Sequence, residues 1–294
     1  WEDGVLSGEY HYQHGQLHGD QKSYHTNGQL RELQHRVNGA ELGLSQSYFN
    51  NGQLQTRVTY GANGMEGLYE SFHNNGQPEQ TVNMVAGKRE GERLYWTKEG
   101  WLYTKEFYLK GKIHGEVLIY RAADVLQEIK HYEHDKQVGN QQRFDEQGRL
   151  AELQKYDKDG REIQHITYDN AGNVATQTDT QYLAKGQTST EQRFDSAGKL
   201  TYQYQQDTAN DWSLRQRFDA AGELIERDEQ LKGRYDGLYI GAGWNGYIRR
   251  INYRKGQMHG AYREDKAEDG GFVSDNFVGS TDQNTASLLV KAHF

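Results

Sequence analysis

The sequence predicts an all-β fold, an elongated antiparallel β-meander or solenoid in which a single twisted sheet can coil. The first observation is a period of twelve residues. Aromatic side chains stand at multiples of twelve from Tyr12 to Tyr168, with breaks only at Arg36 and Met84. The second is the frequency of glycine, with 34 glycines against one proline, which favours many tight turns. A fixed internal period is typical of a repeat array whose neighbouring units stack on one another.

The glycine positions indicate that the true repeat is a double repeat of about twenty-four residues, made of two alternating half-repeats. In one half-repeat, glycine follows the aromatic residue by four positions, as at Gly28 and Gly52. In the other, glycine follows by three and by seven positions, as at Gly15 and Gly19. About twelve residues suit one strand of six to eight residues and a tight turn. We therefore expect about two dozen short strands.

Asn-Gly dipeptides predict hairpin turns, because both residues tolerate the positive φ that type I′ turns require. They are Asn27-Gly28, Asn38-Gly39, Asn51-Gly52, Asn63-Gly64, Asn75-Gly76 and Asn245-Gly246. Between Leu54 and Tyr60 polar and apolar residues alternate, which predicts a strand with one apolar face. The spacing of Leu30 and Leu33 indicates a bulge. Helix is disfavoured because glycine recurs too often, except near the C-terminus.

The repeat predicts one continuous domain over residues 1–262, followed by a cap or tail over residues 263–294. Within the array, residues 1–143 and 230–262 carry Gly-x-x-His-Gly motifs, and residues 144–229 carry aromatic–aspartate pairs. A cap is expected because the ends of a solenoid need covering. A partner-binding tail is the alternative.

Composition restricts the classes of function. A net charge of −8 disfavours nucleic acid, which requires a basic surface. No apolar run approaches the roughly twenty residues of a transmembrane segment. The chain lacks cysteine, which removes disulfides and thiolate metal sites. Because it begins at Trp1 and not at methionine, we expect either a trimmed form or a mature form, which leaves open the loss of an export signal.

Two alternating motifs carry a resemblance to a known family. Gly-x-x-His-Gly occurs at Gly15–Gly19, Gly111–Gly115 and Gly256–Gly260, and it alternates with Tyr24–Leu30 and Tyr48–Leu54. These residues resemble the MORN-repeat-variant family of bacterial proteins, over roughly residues 1–143 and again over 230–262.

The middle of the chain resembles the YD repeats of bacterial polymorphic toxins and their shells. An aromatic–aspartate pair precedes a glycine at Phe144-Asp145, Tyr156-Asp157, Tyr168-Asp169, Phe194-Asp195 and Phe218-Asp219. Both families build serial β-hairpins, so the two resemblances imply the same fold.

The resemblance implies a binding scaffold and no enzyme. Members of the variant family are often antitoxin-like, and some resemble immunity proteins encoded beside secreted antibacterial effectors, lipases included. We therefore expect a periplasmic immunity protein that binds a toxin, such as a lipase-class effector of type VI secretion, with the cytoplasm as the alternative location. An envelope scaffold or carbohydrate-binding protein that uses its Tyr and Gln rows is the second hypothesis. A fragment of a YD-repeat toxin shell is the third.

Aromatic and acidic stations supply the predicted binding site. Trp101 stands where the equivalent residues are glutamines, which predicts an exposed aromatic anchor, or else a ring packed over a bulge. The aspartates after the aromatics predict an acidic stripe for a basic partner, or else turn-opening residues. Trp96 occupies a repeat station and is expected to support the surface. The predicted partner-binding residues are Tyr95, Trp96, Trp101, Tyr103, Phe107, Asp145, Asp157, Asp169, Trp212 and Trp244.

No motif predicts catalysis, a cofactor or a metal site. Nucleophile, zinc and phosphate-loop signatures are absent from the sequence. Asp157 and Asp159 only superficially resemble a calcium loop. His18, His114 and His259 are expected to be turn residues that bond a neighbouring carbonyl.

Overall fold

The computed structural model describes residue 4 and residues 6–242, 247–268, 271–273 and 279–280. Every regular element in these ranges is a β-strand, which confirms the all-β prediction. They contain no helix long and apolar enough to cross a bilayer. The chain divides into two compact units, the first with residues 1–149 and 156–161 and the second with residues 150–155 and 162–294. The predicted single domain over residues 1–262 stays a prediction.

The strands before the division belong to the first unit. They are β1 (Gly8–Glu9), β2 (Tyr12–Gln13), β3 (Gln16–Leu17), β4 (Gly19–Tyr24), β5 (Leu30–Val37), β6 (Ala40–Tyr48), β7 (Leu54–Gly61), β8 (Gly64–Phe72), β9 (Pro78–Val85), β10 (Lys88–Trp96), β11 (Leu102–Leu109), β12 (Lys112–Ile113), β13 (Gly115–Ala122), β14 (Val125–Glu133), β15 (Lys136–Gln137) and β16 (Gly139–Phe144).

The division of the chain falls at β17 (Leu150–Tyr156). The strands that follow are β18 (Glu162–Tyr168), β19 (Val174–Tyr182), β20 (Gln187–Phe194), β21 (Leu200–Asp207), β22 (Trp212–Phe218), β23 (Leu224–Leu231), β24 (Arg234–Tyr235), β25 (Gly237–Ala242), β26 (Tyr247–Arg254), β27 (Gln257–Glu268), β28 (Gly271–Val273) and β29 (Gly279–Ser280). The predicted boundary at residue 262 lies within β27, and most of the predicted cap lies outside the described residues.

The sheet is an antiparallel meander. In the described chain, 27 strands belong to it, and β2 and β3 form a separate two-stranded hairpin. Each long strand pairs with the next long strand in sequence, as β6 does with β7 and β20 does with β21. Most register shifts fall next to the recurring aromatic residue, where it pairs with the first residue of the strand after the long turn. One example is the shift between Ser23 and Tyr24. These shifts are the bulges that the leucine spacing predicts.

Two turn types alternate along the chain, which explains the double repeat. Asn38 and Gly39 have φ of 49° and 82°, as a two-residue type I′ turn requires. At the other edge the turns are longer, because the N–H of Gly28 donates to the carbonyl of His25 at 2.8 Å and only the glycine has positive φ. The type I′ prediction is therefore wrong for Asn27-Gly28 and for its equivalents Asn51-Gly52 and Asn75-Gly76. It is also wrong for Asn63-Gly64, where only the glycine has positive φ, and Asn245-Gly246 lies outside the described residues.

In the first unit, turns on the same edge bond to one another. At the long-turn edge, Asn27 Nδ2 donates to the carbonyl of Asn50 at 2.6 Å, and Asn51 Nδ2 does the same to Asn74 at 2.9 Å. At the short-turn edge, the N–H of Gly39 donates to the carbonyl of Leu17 at 2.8 Å. Asparagine suits the long turns because its side-chain amide reaches the next double repeat.

Strand alternation gives the first unit two different faces. Val58, Val82 and Tyr108 are buried and share one face, which we name the inner face. Residues between them point to the outer face, as Arg57 and Glu70 do, where they form an ion pair of 2.6 Å. The inner face therefore holds the core of this unit, and its outer face is open to a partner.

Candidate protein-binding surface

Strand β11 presents two aromatic side chains to solvent. Tyr103 and Phe107 are 41% and 46% exposed, whereas Tyr108 on the same strand is buried at 5%. Lys105 lies between the two aromatics and is also exposed. Phe107 shares the outer face with Lys105, whereas the register shift between Tyr95 and Trp96 interrupts the alternation at Tyr103.

Tyr103 is the centre of an aromatic cluster. Its ring lies edge-to-face against Tyr95 and against Trp101, with centroid distances of 6.1 Å in both cases. Trp101 directly precedes β11 and is half-buried. Each such pair contributes about 0.5–1.5 kcal/mol beyond the burial of its area. Ring contacts therefore hold the cluster together, and it unites three of the predicted residues.

An inner-face network holds the strand that carries Tyr95. The guanidinium of Arg93 lies 5.4 Å from the centroid of the Tyr95 ring. Arg93 Nη1 is 3.0 Å from Glu106 Oε2, and the Tyr108 hydroxyl donates to the same oxygen at 2.8 Å. Burial, and then the bond to Glu106, raise the pKa of Tyr108. These bonds join β10 to β11 beneath the aromatic cluster.

Apolar side chains surround Lys105 on the outer face. Lys105 pairs across the sheet with Leu94 on one side and Leu118 on the other. Leu68 is 52% exposed and lies on the same face, two strands before Leu94. We name this surface the outer-face patch and define it by Leu68, Leu94, Phe107 and Leu118.

Charges at the patch are paired. Lys105 Nζ lies 2.8 Å from Glu92 Oε1, and Glu92 is the cross-strand partner of Phe107. The bond to Glu92 raises the pKa of Lys105. Exposed ion pairs of this kind contribute little to stability. Their effect is to leave the patch with a small net charge, so that its apolar side chains dominate.

Trp96 is half-buried and takes part in the stacking of turns. Its carbonyl accepts a hydrogen bond from His73 Nε2 at 2.9 Å. It pairs with Leu102 at a register shift, immediately beside the aromatic cluster. This position fits the expectation that Trp96 supports the surface; whether it touches a partner stays a prediction.

The predicted acidic stations are bonded within their own turns. Asp145 Oδ1 accepts the N–H groups of Gln147 and Arg149, both at 2.9 Å, and Arg149 Nε donates to Asp145 Oδ2 at 2.7 Å. Asp157 and Asp169 repeat this arrangement. Backbone hydrogen bonds are the main cause that lowers the pKa of all three carboxylates. The geometry matches the turn-opening alternative, and contact with a basic partner stays a prediction.

Of the two remaining predicted tryptophans, Trp212 lies within the described residues. Trp212 begins β22 in the second unit, is half-buried, and donates from Nε1 to Glu229 Oε1 at 3.1 Å. Trp244 lies outside the described residues. Neither joins the outer-face patch of the first unit on the contacts that the structure records.

Sequence reasoning missed two groups of exposed residues. Leu68, Leu94 and Leu118 belong to the outer-face patch, and the detectable signal is leucine at a strand position where the alternation places a polar residue. Tyr235 and Tyr253 belong to a tyrosine cluster in the second unit, where the twelve-residue register slips. A slip in an otherwise regular repeat is the signal that could have drawn attention to them.

The described ranges hold no group of three or more His, Asp or Glu side chains that could bind a metal ion. The histidine expectation needs correction at two of its three residues. The backbone N–H of His18, and not its ring, donates to the carbonyl of His11 at 2.9 Å, and its ring Nδ1 is buried without a hydrogen-bond partner. It is the backbone N–H of His114, and not its ring, that donates to the carbonyl of Phe107 at 2.8 Å, while the ring packs 5.0 Å from His134. The ring nitrogen Nδ1 is buried there without a hydrogen-bond partner.

The alternating turns and serial hairpins define a β-hairpin repeat protein. The family model described as MORN repeat variant matches three segments, residues 17–38, 41–61 and 65–86. The segments begin twenty-four residues apart, which agrees with the double repeat. A search of curated proteins finds no significant match.

Two solved structures were compared with the chain. One, described as TcdB2-TccC3 without its hypervariable C-terminal region, is 11% identical, with a TM-score of 0.19, and matches 87% of this chain. The other, described as TcdB2-TccC3-Cdc42, is 14% identical, with a TM-score of 0.18, and matches 89%. The chain spans only 17% and 15% of those chains. Scores this low support no conclusion on fold or function.

Proposed function

We propose that this repeat protein is a non-enzymatic immunity protein, or antitoxin, that binds and neutralises a secreted antibacterial toxin. The outer-face patch and the aromatic cluster of Tyr95, Trp101 and Tyr103 carry this proposal. Tyr103 and Phe107 stand exposed on one strand, and the ring of Trp101 packs against Tyr103. Exposed aromatic residues clustered on a rigid sheet are typical hot spots of protein interfaces.

The patch suits a flat or convex partner surface. Tyr103 and Phe107 would contact the toxin from one strand, and Leu94 and Leu118 would exclude water around Lys105. Stable inhibitors bury about 1,200 Å² or more, so the interface extends over several strands of the first unit. Neutralisation needs no chemistry by this chain, since occlusion of the toxin's active-site mouth is sufficient. The MORN repeat variants at residues 17–86 agree with a binding role.

The test begins with the protein encoded by the neighbouring gene. The two proteins are expressed together, isolated on a tag, and titrated by calorimetry, and one stoichiometric complex is expected. The double variant Tyr103→Ser, Phe107→Ser should weaken binding about a thousandfold, because hot-spot truncations each cost about 2 kcal/mol or more and every 1.4 kcal/mol is about tenfold. Leu183→Ser is the matched control, since this side chain is 41% exposed but lies in the second unit.

Equal binding by the double variant and the control would refute the role of the patch. A neighbouring protein that forms no complex, together with failure to protect cells that express it, would refute the immunity function itself.

A second candidate function rests on a hollow at the long-turn edge of the first unit. This cavity of about 450 Å³ is lined by the rings of Phe49, Tyr69 and Phe72 together with the polar side chains of Asn74 and Glu79. Aromatic faces beside amide and carboxylate groups suit the apolar faces and hydroxyls of a sugar. Retention on immobilised glycans that is lost in Tyr69→Ala would favour this function over the first.

A further inference from the structure

Basic residues concentrate in one stretch of the second unit. Residues 227–263 contain eight Lys and Arg but three Asp and Glu, a net charge of +5, whereas the whole chain carries −8. The basic residues are Arg227, Lys232, Arg234, Arg249, Arg250, Arg254, Lys255 and Arg263. The remainder of the chain therefore carries −13. A local reversal of sign of this size creates a positive field on an acidic protein.

Four of these residues lie at two adjoining turns. Lys232 and Arg234 flank the turn between β23 and β24, and Arg254 and Lys255 flank the turn between β26 and β27. The turns touch, because the N–H of Gly256 donates to the carbonyl of the residue after Arg234 at 2.8 Å. All four basic side chains are exposed.

Two nearby carboxylates are already bound by other arginines. Asp228 lies 3.1 Å from Arg215, and Glu229 lies 2.7 Å from Arg227. Across the described ranges, no ion pair is recorded for the four basic residues at the turns. Their charges are thus available to a ligand.

A tyrosine cluster adjoins these charges. The ring of Tyr235 lies 5.1 Å from that of Tyr253 and 5.5 Å from that of Tyr239, and the latter two are 6.3 Å apart. Tyr235 is 39% exposed, and Met258, the cross-strand partner of Tyr253, is 53% exposed. A hollow of about 420 Å³ is lined by Arg234, Tyr235 and Lys255, among others. Apolar contact area and positive charge therefore meet at one place.

We propose that this surface binds an acidic peptide segment of another protein. We name it the basic tyrosine surface and define it by Lys232, Arg234, Tyr235, Lys255 and Met258. Two or more carboxylates of the segment pair with Arg234 and Lys255, and an aromatic or aliphatic side chain packs against Tyr235 and Met258. All of its residues lie in the second unit, so its existence does not depend on the function proposed for the first.

The distribution of charge favours a short acidic segment over a nucleic acid. The centres of turns on two neighbouring hairpins lie about 10 Å apart, since they are separated by two strand spacings. This distance matches carboxylates a few residues apart on an extended peptide. A long polyanion gains affinity by neutralising many phosphates, which requires a basic stripe much longer than two turns. The net charge of −13 on the remainder of the chain would repel it.

An equivalent turn in the first unit provides a matched control. Lys110 and Lys112 flank Gly111 just as Lys232 and Arg234 flank their glycine. The residue that follows Lys112 is Ile113, where the second unit has Tyr235. This turn thus carries similar charge without the tyrosine cluster.

The test measures binding of a fluorescein-labelled peptide, Glu-Glu-Phe-Glu-Glu-Tyr-Glu-Glu, to the full chain by fluorescence anisotropy at about 0.15 M salt, where exposed long-range charge effects are screened. The double variant Arg234→Glu, Lys255→Glu should weaken binding tenfold or more. Lys110→Glu, Lys112→Glu should change it less than twofold. Arg234→Gln, Lys255→Gln is a milder second variant, and thermal unfolding confirms that each variant is folded.

The tyrosine contribution is tested separately. Tyr235→Ser should weaken binding several-fold, and Tyr235→Phe should retain it. Equal losses in both double-glutamate variants would overturn the proposal, because non-specific charge would then explain the binding. Tighter binding of an oligothymidine or of phosphatidylserine vesicles, with the same dependence on Arg234 and Lys255, would also overturn it in favour of those ligands.

Discussion

His73 Nε2 lies 2.9 Å from the carbonyl oxygen of Trp96, twenty-three residues further along the chain. His25 makes the same bond to the carbonyl of Tyr48 at 2.9 Å, and Arg121 donates to the carbonyl of Phe144 at the corresponding place. These side chains stand directly after the aromatic station and connect one double repeat to the next.

These equivalent positions predict how the free energy of unfolding changes when their side chains are exchanged. At the intermediate position Phe49 stands where histidine is expected, and a phenyl ring cannot donate a hydrogen bond. His73→Phe should lower the free energy of unfolding by about 0.5–1.5 kcal/mol, the net contribution of one hydrogen bond. Phe49→His should raise it or leave it unchanged. Urea unfolding of both variants measures the two values, and a more stable His73→Phe would contradict the series.

Gly39 predicts a cost that comes from the backbone alone. Its φ is 82°, and no atom lies within 4 Å of the position that a Cβ would take. Gly39→Ala should therefore destabilise by about 1–2 kcal/mol, the cost of a left-handed residue with a side chain. Asn38→Gly is the control, since Asn38 already has positive φ, and it should change stability by a few tenths of a kcal/mol. Equal effects of the two substitutions in thermal unfolding would refute the type I′ assignment.

The turn carboxylates predict a dependence of stability on pH. Backbone hydrogen bonds hold the pKa of Asp145, Asp157 and Asp169 below the ordinary value in the folded chain. A depressed folded pKa gives stability that is present above the unfolded pKa and is lost as pH falls through the folded pKa. Unfolding measured between about pH 6 and pH 3 should therefore show a decline. The triple Asp→Asn variant should be less stable near pH 6 and should decline less.

The ion pair of Arg93 and Glu106 predicts that removing one partner lowers the free energy of unfolding more than replacing both. Their side chains are only 17% and 15% exposed, and Glu106 also accepts the hydroxyl of Tyr108. Glu106→Ala should cost about 3 kcal/mol, because it leaves a largely buried guanidinium without its partner. Arg93→Met, Glu106→Leu should recover most of that loss. Chemical unfolding gives both values, and a double variant less stable than Glu106→Ala would contradict this account.

The fold could be predicted from the sequence because aromatic and glycine residues recur with a period of twelve. The type of each turn was harder to predict from the sequence. Asn27-Gly28 and Asn38-Gly39 are the same dipeptide, yet only the second forms a type I′ turn. The first is governed by the bond from Asn27 to a carbonyl twenty-three residues away, which local sequence does not reveal.

The candidate site could be predicted in part. Trp101 is visible as a break in a polar pattern, and ring contacts join it to Tyr103 and join Tyr103 to Tyr95. Leu118 is hidden, because its place on the outer face depends on cross-strand register. Asp145 was ambiguous, since an aspartate that opens a turn and one that awaits a partner share the same motif.

The bonds between turns fix which changes in chain length this protein can tolerate. In the first unit they join residues twenty-two or twenty-three apart, from one double repeat to the next. A gene duplication or loss of twenty-four codons preserves every such partnership, so copy number can vary freely in evolution. An insertion of twelve codons would instead place a long turn where a short one belongs, and the bonds along that edge would be lost.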